Sequence, residues 1–335
     1  MNELSTQEDN KLQYLNFNSK KNQFICSTTD SFKIYTACPF LERFESSFNL
    51  KKLKFVEILG SSNVLCYVSE KYPKSVFVWD DIEKKELMEV QQKTNVCSIR
   101  INLNTLIVLT ETSIIMYQLS DLSIVNYYST MKNPKGIISV KENLQDELEM
   151  IAIFDDKIGF VRVVNYTEKN PFNRSFQAFE EPLGGLKFNN SGRYLAVSTS
   201  NGKRIRIFES KSGICLLQLI VGNKDADIYS MSFSRDHNFF VITSSNGSLQ
   251  LFELPFDLKD SSNRTKERNG ISFGKHGQKL QKCIINYKLQ NSSTNKISFV
   301  FDELILVATN GWYYRFLVNP EKKTIKEQEE NHFYY

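Results

Sequence analysis

The sequence predicts an all-β protein, a seven-bladed β-propeller of the WD-repeat type, from a repeat period, a duplicated stretch and the residue composition. Tyr35, Trp79, Tyr117, Val164, Phe208, Phe252 and Phe316 each close the core of a strand, at intervals of 44, 38, 47, 44, 44 and 64 residues. A spacing of about 44 is the period of a four-stranded blade. The stretch GRYLAVSTSNGKRIRIFE, ending at Glu209, is repeated as HNFFVITSSNGSLQLFE, ending at Glu253. With 41% hydrophobic and 13% aromatic residues the chain has ample core material, weighted toward strand formers.

Taken in order, residues 1–14 are polar and acidic and read as a tail, with no signal-peptide pattern. The propeller is expected over 15–318. Nowhere do about 18 apolar residues run without charge, so no membrane span is expected. Asn201-Gly202, Asn246-Gly247 and Asn310-Gly311 sit in nearly the same register before a marked position, and Asn-Gly suits hairpin turns with positive φ at both central residues. The runs before them, LAVSTS, FVITSS and LILVAT, suit strands buried on both faces.

The long last interval holds an insertion in blade six, about 259–282, with seven basic residues against two acids. Such a loop in a compact domain is functional or disordered. Residues 319–335 are strongly polar and read as a solvated tail.

Several functions are disfavoured. A net charge of +4 is too small for a general nucleic-acid binder. The six cysteines are scattered without a C-x-x-C pair, which suits buried thiols in a reducing compartment and no metal site. His237, His276 and His332 have no nucleophile or acid at a diagnostic spacing, and GISFGK at 270–275 lacks the context of a phosphate loop. The expectation is a protein that is not an enzyme and uses no cofactor.

Further residues resemble a known family. FNSKKNQFICSTTDSFKIYTACPF at 17–40, KYPKSVFVWDDIEKK at 71–85, NPKG at 133–136, the duplicated stretch, DADIYSMSFS at 225–234 and DELILVATNGWYYRF at 302–316 together look like a PROPPIN of the short-chain subgroup. The resemblance implies a phosphoinositide-binding propeller of autophagy. It further implies a monomer that is cytoplasmic and peripheral on autophagosome-precursor or endosomal and vacuolar membranes. Its lipids would be phosphatidylinositol 3-phosphate and the 3,5-bisphosphate, and its autophagy-protein partners would dock on blades two and three near Tyr72 to Lys85.

The family's lipid chemistry rests on a Phe/Leu-Arg-Arg-Gly motif, whose arginines serve two pockets. Arginine suits this because its planar fork binds phosphate bidentately. Here the matching residues are Leu219, Ile220, Val221 and Gly222, so both arginines are missing while the glycine of the turn is kept. Pocket residues carried over are Thr199, Lys203 and Arg206 in blade five, and Thr243, Ser244, Ser248 and Gln250 in blade six, where Gln250 stands for a family His. Phe179 replaces another His. The blade-six loop of the family inserts into membranes, which assigns that contact here to Lys266, Arg268, Ile271, Phe273, Lys275, Lys279 and Leu280. Each hydrogen bond to a charged group is worth roughly 1.5–3 kcal/mol, so weakened or altered lipid binding is expected. The alternative is a lipid-independent scaffold.

Overall fold

The computed structural model describes residues 12–18, 20–28, 31–47, 53–60, 62–167, 169, 171–255, 279–289, 293–300, 303–319 and 324–333. These residues form strands and no helix, arranged in seven sheets. Blade one runs from Tyr14 to Ser47, two from Leu53 to Gln91, three from Val96 to Ser129 and four from Ser139 to Gln177. Blade five runs from Leu183 to Ile220, six from Ile228 to Lys288 and seven from Asn295 to His332. Within a blade the four main strands pair antiparallel in chain order, with the first strand lining the centre of the ring, and residues 279–282, between the last two strands of blade six, pair instead with blade five.

All seven aromatic or apolar marks fall on the third strand of a blade. In five blades the register to the outer strand shifts immediately before the marked residue, at Tyr35, Trp79, Tyr117, Phe208 and Phe316. A bulge there re-aims the side chain, so the periodicity seen in sequence is a periodicity of bulges as well as of apolar residues. Second strands are buried on both faces, as in Thr105–Thr110 and Tyr194–Thr199, whereas the outer Lys85–Gln91 is mostly exposed. The N–H following the outer strand returns to the turn between strands two and three. Thr130 N–H donates to Thr112 O at 2.9 Å, Ala178 to Gly159 at 2.8 Å, Val221 to Lys203 at 3.0 Å and Phe333 to Gly311 at 2.9 Å.

Seven hydrophobic clusters occupy the spaces between neighbouring blades, including blades seven and one. Among the described residues blades one and seven share no strand, and their contact is made through side chains. Phe24 stacks on Tyr35 at 5.1 Å and meets Phe333 at 5.4 Å, while Phe40 meets Tyr313 at 4.5 Å. Two buried hydroxyls add direction: Tyr35 Oη donates to Phe333 O at 2.9 Å and Tyr313 Oη to Ala37 O at 2.7 Å.

The structure differs from the sequence reading in several places. The first is the C-terminal segment, where Thr324–His332 is the outer strand of blade seven rather than a solvated tail. Its inward positions carry acids that find partners: Glu329 meets Arg315 at 3.1 Å and Glu327 accepts from Tyr287 Oη at 3.1 Å. At the other end the ring begins before residue 15, since Leu12 is already in the core. In the Asn-Gly turns only the glycines take positive φ, at 66° for Gly202, 75° for Gly247 and 87° for Gly311. The turns are therefore not the mirror-image two-residue type. Asn201 and Asn246 instead use Oδ1 to accept the N–H two residues on, both at 3.1 Å.

Ending the chain at Asn319 removes this outer strand and Phe333, so the variant is expected to lose cooperative folding. Phe333→Ala alone should lower the unfolding free energy by about 3–5 kcal/mol, read as the midpoint in urea. Unchanged midpoints would mean the segment does not close the ring.

Candidate functional site

The residues singled out from the sequence gather along the outer parts of blades five and six, in two groups. The first lies on Arg204–Glu209. Strand alternation puts Arg204 and Arg206 on one face, opposite Ile220 and Gln218 of the outer strand. Arg206 is turned toward its own protein. Its Nε donates to Gln218 Oε1 at 2.9 Å, its Nη1 donates to Ala178 O at 2.8 Å, and its guanidinium lies 4.5 Å from the centre of the buried Phe179 ring. Arg204 packs on the same ring at 5.6 Å and pairs with Glu181. Phe179 thus serves as a platform for two arginines, a contact worth about 0.5–2 kcal/mol each.

Lys203 forms an ion pair with Asp225 at 2.7 Å. Thr199 is buried, and its hydroxyl donates to Asn201 Oδ1 at 2.6 Å, which fixes the turn. The second group is likewise turn machinery. Ser244 Oγ donates to Asn246 Oδ1 at 2.7 Å, and the Ser244 and Ser248 hydroxyls are 2.8 Å apart. Gln250 Nε2 donates to Val221 O at 3.1 Å, while Gln250 Oε1 and Thr243 Oγ1 are buried without a partner among the described residues.

Val221 links the two groups through its backbone, since its N–H reaches Lys203 O and its carbonyl accepts from Gln250. Leu219 is buried in the cluster between blades five and six, and Val221 packs against that cluster. Gly222 does not preserve a turn that requires glycine. It is absent from the positive-φ glycines, and a Cβ built on it would meet nothing within 4 Å. Gly202 is the constrained one, because a Cβ there would lie 1.9 Å from Ala226 O at a φ of +66°.

Lys266, Arg268, Ile271, Phe273 and Lys275 lie outside the described residues. Lys279 and Leu280 do not belong to a loop. Lys279–Lys282 forms a fifth strand on blade five, parallel to Cys215–Ile220, with Leu280 opposite Gln218. The edge of blade five offered unpaired backbone groups, and this segment satisfies them.

Sequence reasoning missed the internal partners Ala178, Glu181, Gln218 and Asp225, and Arg204 itself. The alternation of Arg204 with Arg206 was the available signal for the last. Among the described residues no group of three or more His, Cys, Asp or Glu is placed to hold a metal ion, and no helix is long and apolar enough to cross a membrane.

A family profile described as PROPPIN matches residues 11–295. Autophagy-related protein 18e of Arabidopsis thaliana is 26% identical over 247 residues, covering 70% of this chain and 64% of that protein. Autophagy-related protein 18 of Caenorhabditis elegans is 23% identical over 264 residues, covering 75% of this chain and 63% of that protein. The chain thus spans less than two thirds of the length of these curated relatives. Among solved structures, Kluyveromyces lactis Hsv2 matches with a TM-score of 0.81 at 19% identity, over 97% of this chain and 99% of that one. A complex described as KlAtg21 with the coiled-coil of AgAtg16 matches with a TM-score of 0.76 at 15% identity, over 96% and 99%. At these identities the structural likeness carries the fold.

Gly202→Ala should destabilise the protein by about 2–3 kcal/mol, the range for strained backbone. Gly222→Ala should change stability by less than about 0.5 kcal/mol. Thermal unfolding of the two variants checks both, and equal effects would contradict the geometry.

Proposed function

The chain belongs to the PROPPIN family, and from that premise we propose that it is a non-enzymatic propeller adaptor in autophagosome formation, working at membrane surfaces with weakened phosphoinositide recognition. One observation carries the second half of this reading. Arg206, the cation that matches the family's pocket, already donates to Gln218 and Ala178 and lies over Phe179. A lipid phosphate would have to replace those contacts, which are charge-assisted and hence among the stronger hydrogen bonds. Lys203 is held by Asp225, and Ile220 and Val221 offer no charge. What binding remains is electrostatic, with the basic residues of 259–278 meeting anionic headgroups at about 1 kcal/mol per basic residue near the surface.

A second reading, a scaffold acting without lipid, is favoured by exposed apolar side chains on blades two and three. Ile82 is 77% exposed, Ile124 64% and Tyr127 61%. Scattered apolar residues are ordinary on a surface, but Ile124 and Tyr127 share the outer strand of blade three, an edge suited to a protein partner. The coiled coil named in the KlAtg21 complex is the partner chemistry to try. An Ile124→Asp/Tyr127→Asp variant should then lose at least about tenfold in coiled-coil affinity, the equivalent of 1.4 kcal/mol, with unchanged melting.

The lipid reading is checked by vesicle co-sedimentation with phosphatidylinositol 3-phosphate, the 3,5-bisphosphate or plain anionic lipid at two salt concentrations. Weak, salt-sensitive binding with little preference among the lipids is expected. Ile220→Arg or Val221→Arg should raise affinity for the 3-phosphorylated lipids about tenfold to a hundredfold, one charged hydrogen bond's worth. Tight, salt-resistant binding by the unsubstituted chain would overturn the reading.

A further inference from the structure

We propose that the central channel of the ring is a binding site for a soluble, multiply charged phosphate anion, held by Lys187, Lys296 and Lys21. The channel encloses a cavity of about 1280 Å³, with residues from all seven blades in its wall. Eight cationic side chains line it against five carboxylates. Four of those carboxylates are matched one to one. Glu57 meets Arg100 at 2.8 Å, Asp146 meets Lys20 at 2.9 Å, Glu149 meets Lys141 at 2.8 Å and Asp227 meets Lys135 at 2.6 Å. Glu57 is saturated further by Tyr14 Oη at 2.5 Å and Asn16 Nδ2 at 2.7 Å.

Lys187, on the inner strand Leu183–Phe188 of blade five, and Lys296, on the inner strand Asn295–Val300 of blade seven, line the same space half-buried. Among the described residues neither has a hydrogen bond or an ion pair. Lys21 donates only to a neutral group, Asn190 Oδ1, at 2.8 Å. A buried ammonium without an acid is costly, and proteins normally place a carboxylate beside it. Here the charged groups acting on Lys187 are all cationic, and Lys296 has Arg100 set against Glu57. Burial, then the charges of Lys21, Lys296 and Arg100, bring the Lys187 ammonium down to about 7. Burial, then Arg100, bring Lys296 to about 8, with Glu57 opposing. Burial alone brings Lys21 to about 8. A polyanion supplies the missing counter-charge for all three at once.

Phosphate could reach such lysines from a free anion or from a lipid headgroup, and the ends of the channel favour the free anion. Lys20 to Asp146 and Lys21 to Asn190 bridge blade one to blades four and five at one end, and Lys135 to Asp227 bridges the other. A headgroup still anchored in a bilayer would have to open these bridges. The site is separate from Arg206 and Lys203, so it stands or falls independently of lipid binding on the rim.

The sign of the proton linkage gives a readout. The three lysines sit below the unfolded value near 10.4, so at pH 8 Lys187 is largely neutral and the other two about half so. An anion favours their charged forms, and its binding at pH 8 must draw protons from the buffer.

Isothermal titration of the full chain with pyrophosphate at pH 8, in two buffers of different ionisation enthalpy, tests this. One anion per chain with net proton uptake is expected. Lys187→Met/Lys296→Met should weaken binding at least tenfold and abolish the uptake, whereas Arg206→Ala should leave both unchanged. If the double variant does not fold, Lys296→Gln alone should still lower affinity and uptake. In a parallel arm, sedimentation on phosphatidylinositol 3-phosphate vesicles should be indifferent to the channel substitutions. No binding, binding without proton uptake, or binding lost through Arg206→Ala and kept by the channel variants would overturn the proposal. Vesicle binding that depends on Lys187 would overturn the choice of a soluble anion.

Discussion

Closure of the ring between blades seven and one is the constraint on which the rest of the structure depends. A propeller is a set of sheets, each of which buries its faces only against its neighbours. The last and first blades are far apart in sequence, and among the described residues no strand is shared between them. The join rests on Phe24, Tyr35, Phe40, Tyr313 and Phe333, with two tyrosine hydroxyls bonded to carbonyls of the opposite blade. Aromatic side chains bury the most area per residue, and their hydroxyls give direction to a contact that area alone would leave free to slide. Only when this join holds do the seven inner strands surround one channel and do blades five and six present a fixed rim.

At that rim the basic side chains of blade five are paired with groups of the protein itself. Arg206 ties the outer hairpin to the exit of blade four, Arg204 pairs with Glu181, and Lys203 pairs with Asp225. The hydroxyls of Thr199, Ser244 and Ser248 hold Asn-Gly turns. The connector at Leu219–Gly222 joins blades by burying Leu219 and by the backbone of Val221, neither of which needs arginine. Family membership fixes the architecture, and the proposed loss of lipid specificity follows from where the donors of these side chains go.

Much of the fold was legible in the sequence because a bulge and an aromatic recur together on third strands. The C-terminal strand was not, since only Ile325 among its partly buried positions 325, 327, 329, 331 and 332 is apolar, and Glu327 and Glu329 are acids. Their burial makes sense only beside Tyr287 and Arg315, which are distant in sequence or on another strand. Lys279 and Leu280 read as part of a basic loop because parallel pairing with Cys215–Ile220 leaves no local signature. At the rim, residue identities were legible and their partners were not. Ala178 is 28 residues from Arg206 and contributes a carbonyl, which any residue carries. Gly222 looked like a turn glycine, yet only backbone angles distinguish it from Gly202.

The proposed function rests on Arg206 acting as a structural group, engaged by Gln218, Ala178 and the Phe179 ring. Thermal or urea unfolding of Arg206→Ala without any lipid tests it most directly. Loss of the bonds to Ala178 and Gln218 and of the packing on Phe179 should lower stability by about 1–3 kcal/mol. A variant with unchanged stability that nonetheless loses binding to 3-phosphorylated vesicles would contradict the account and return Arg206 to a lipid pocket.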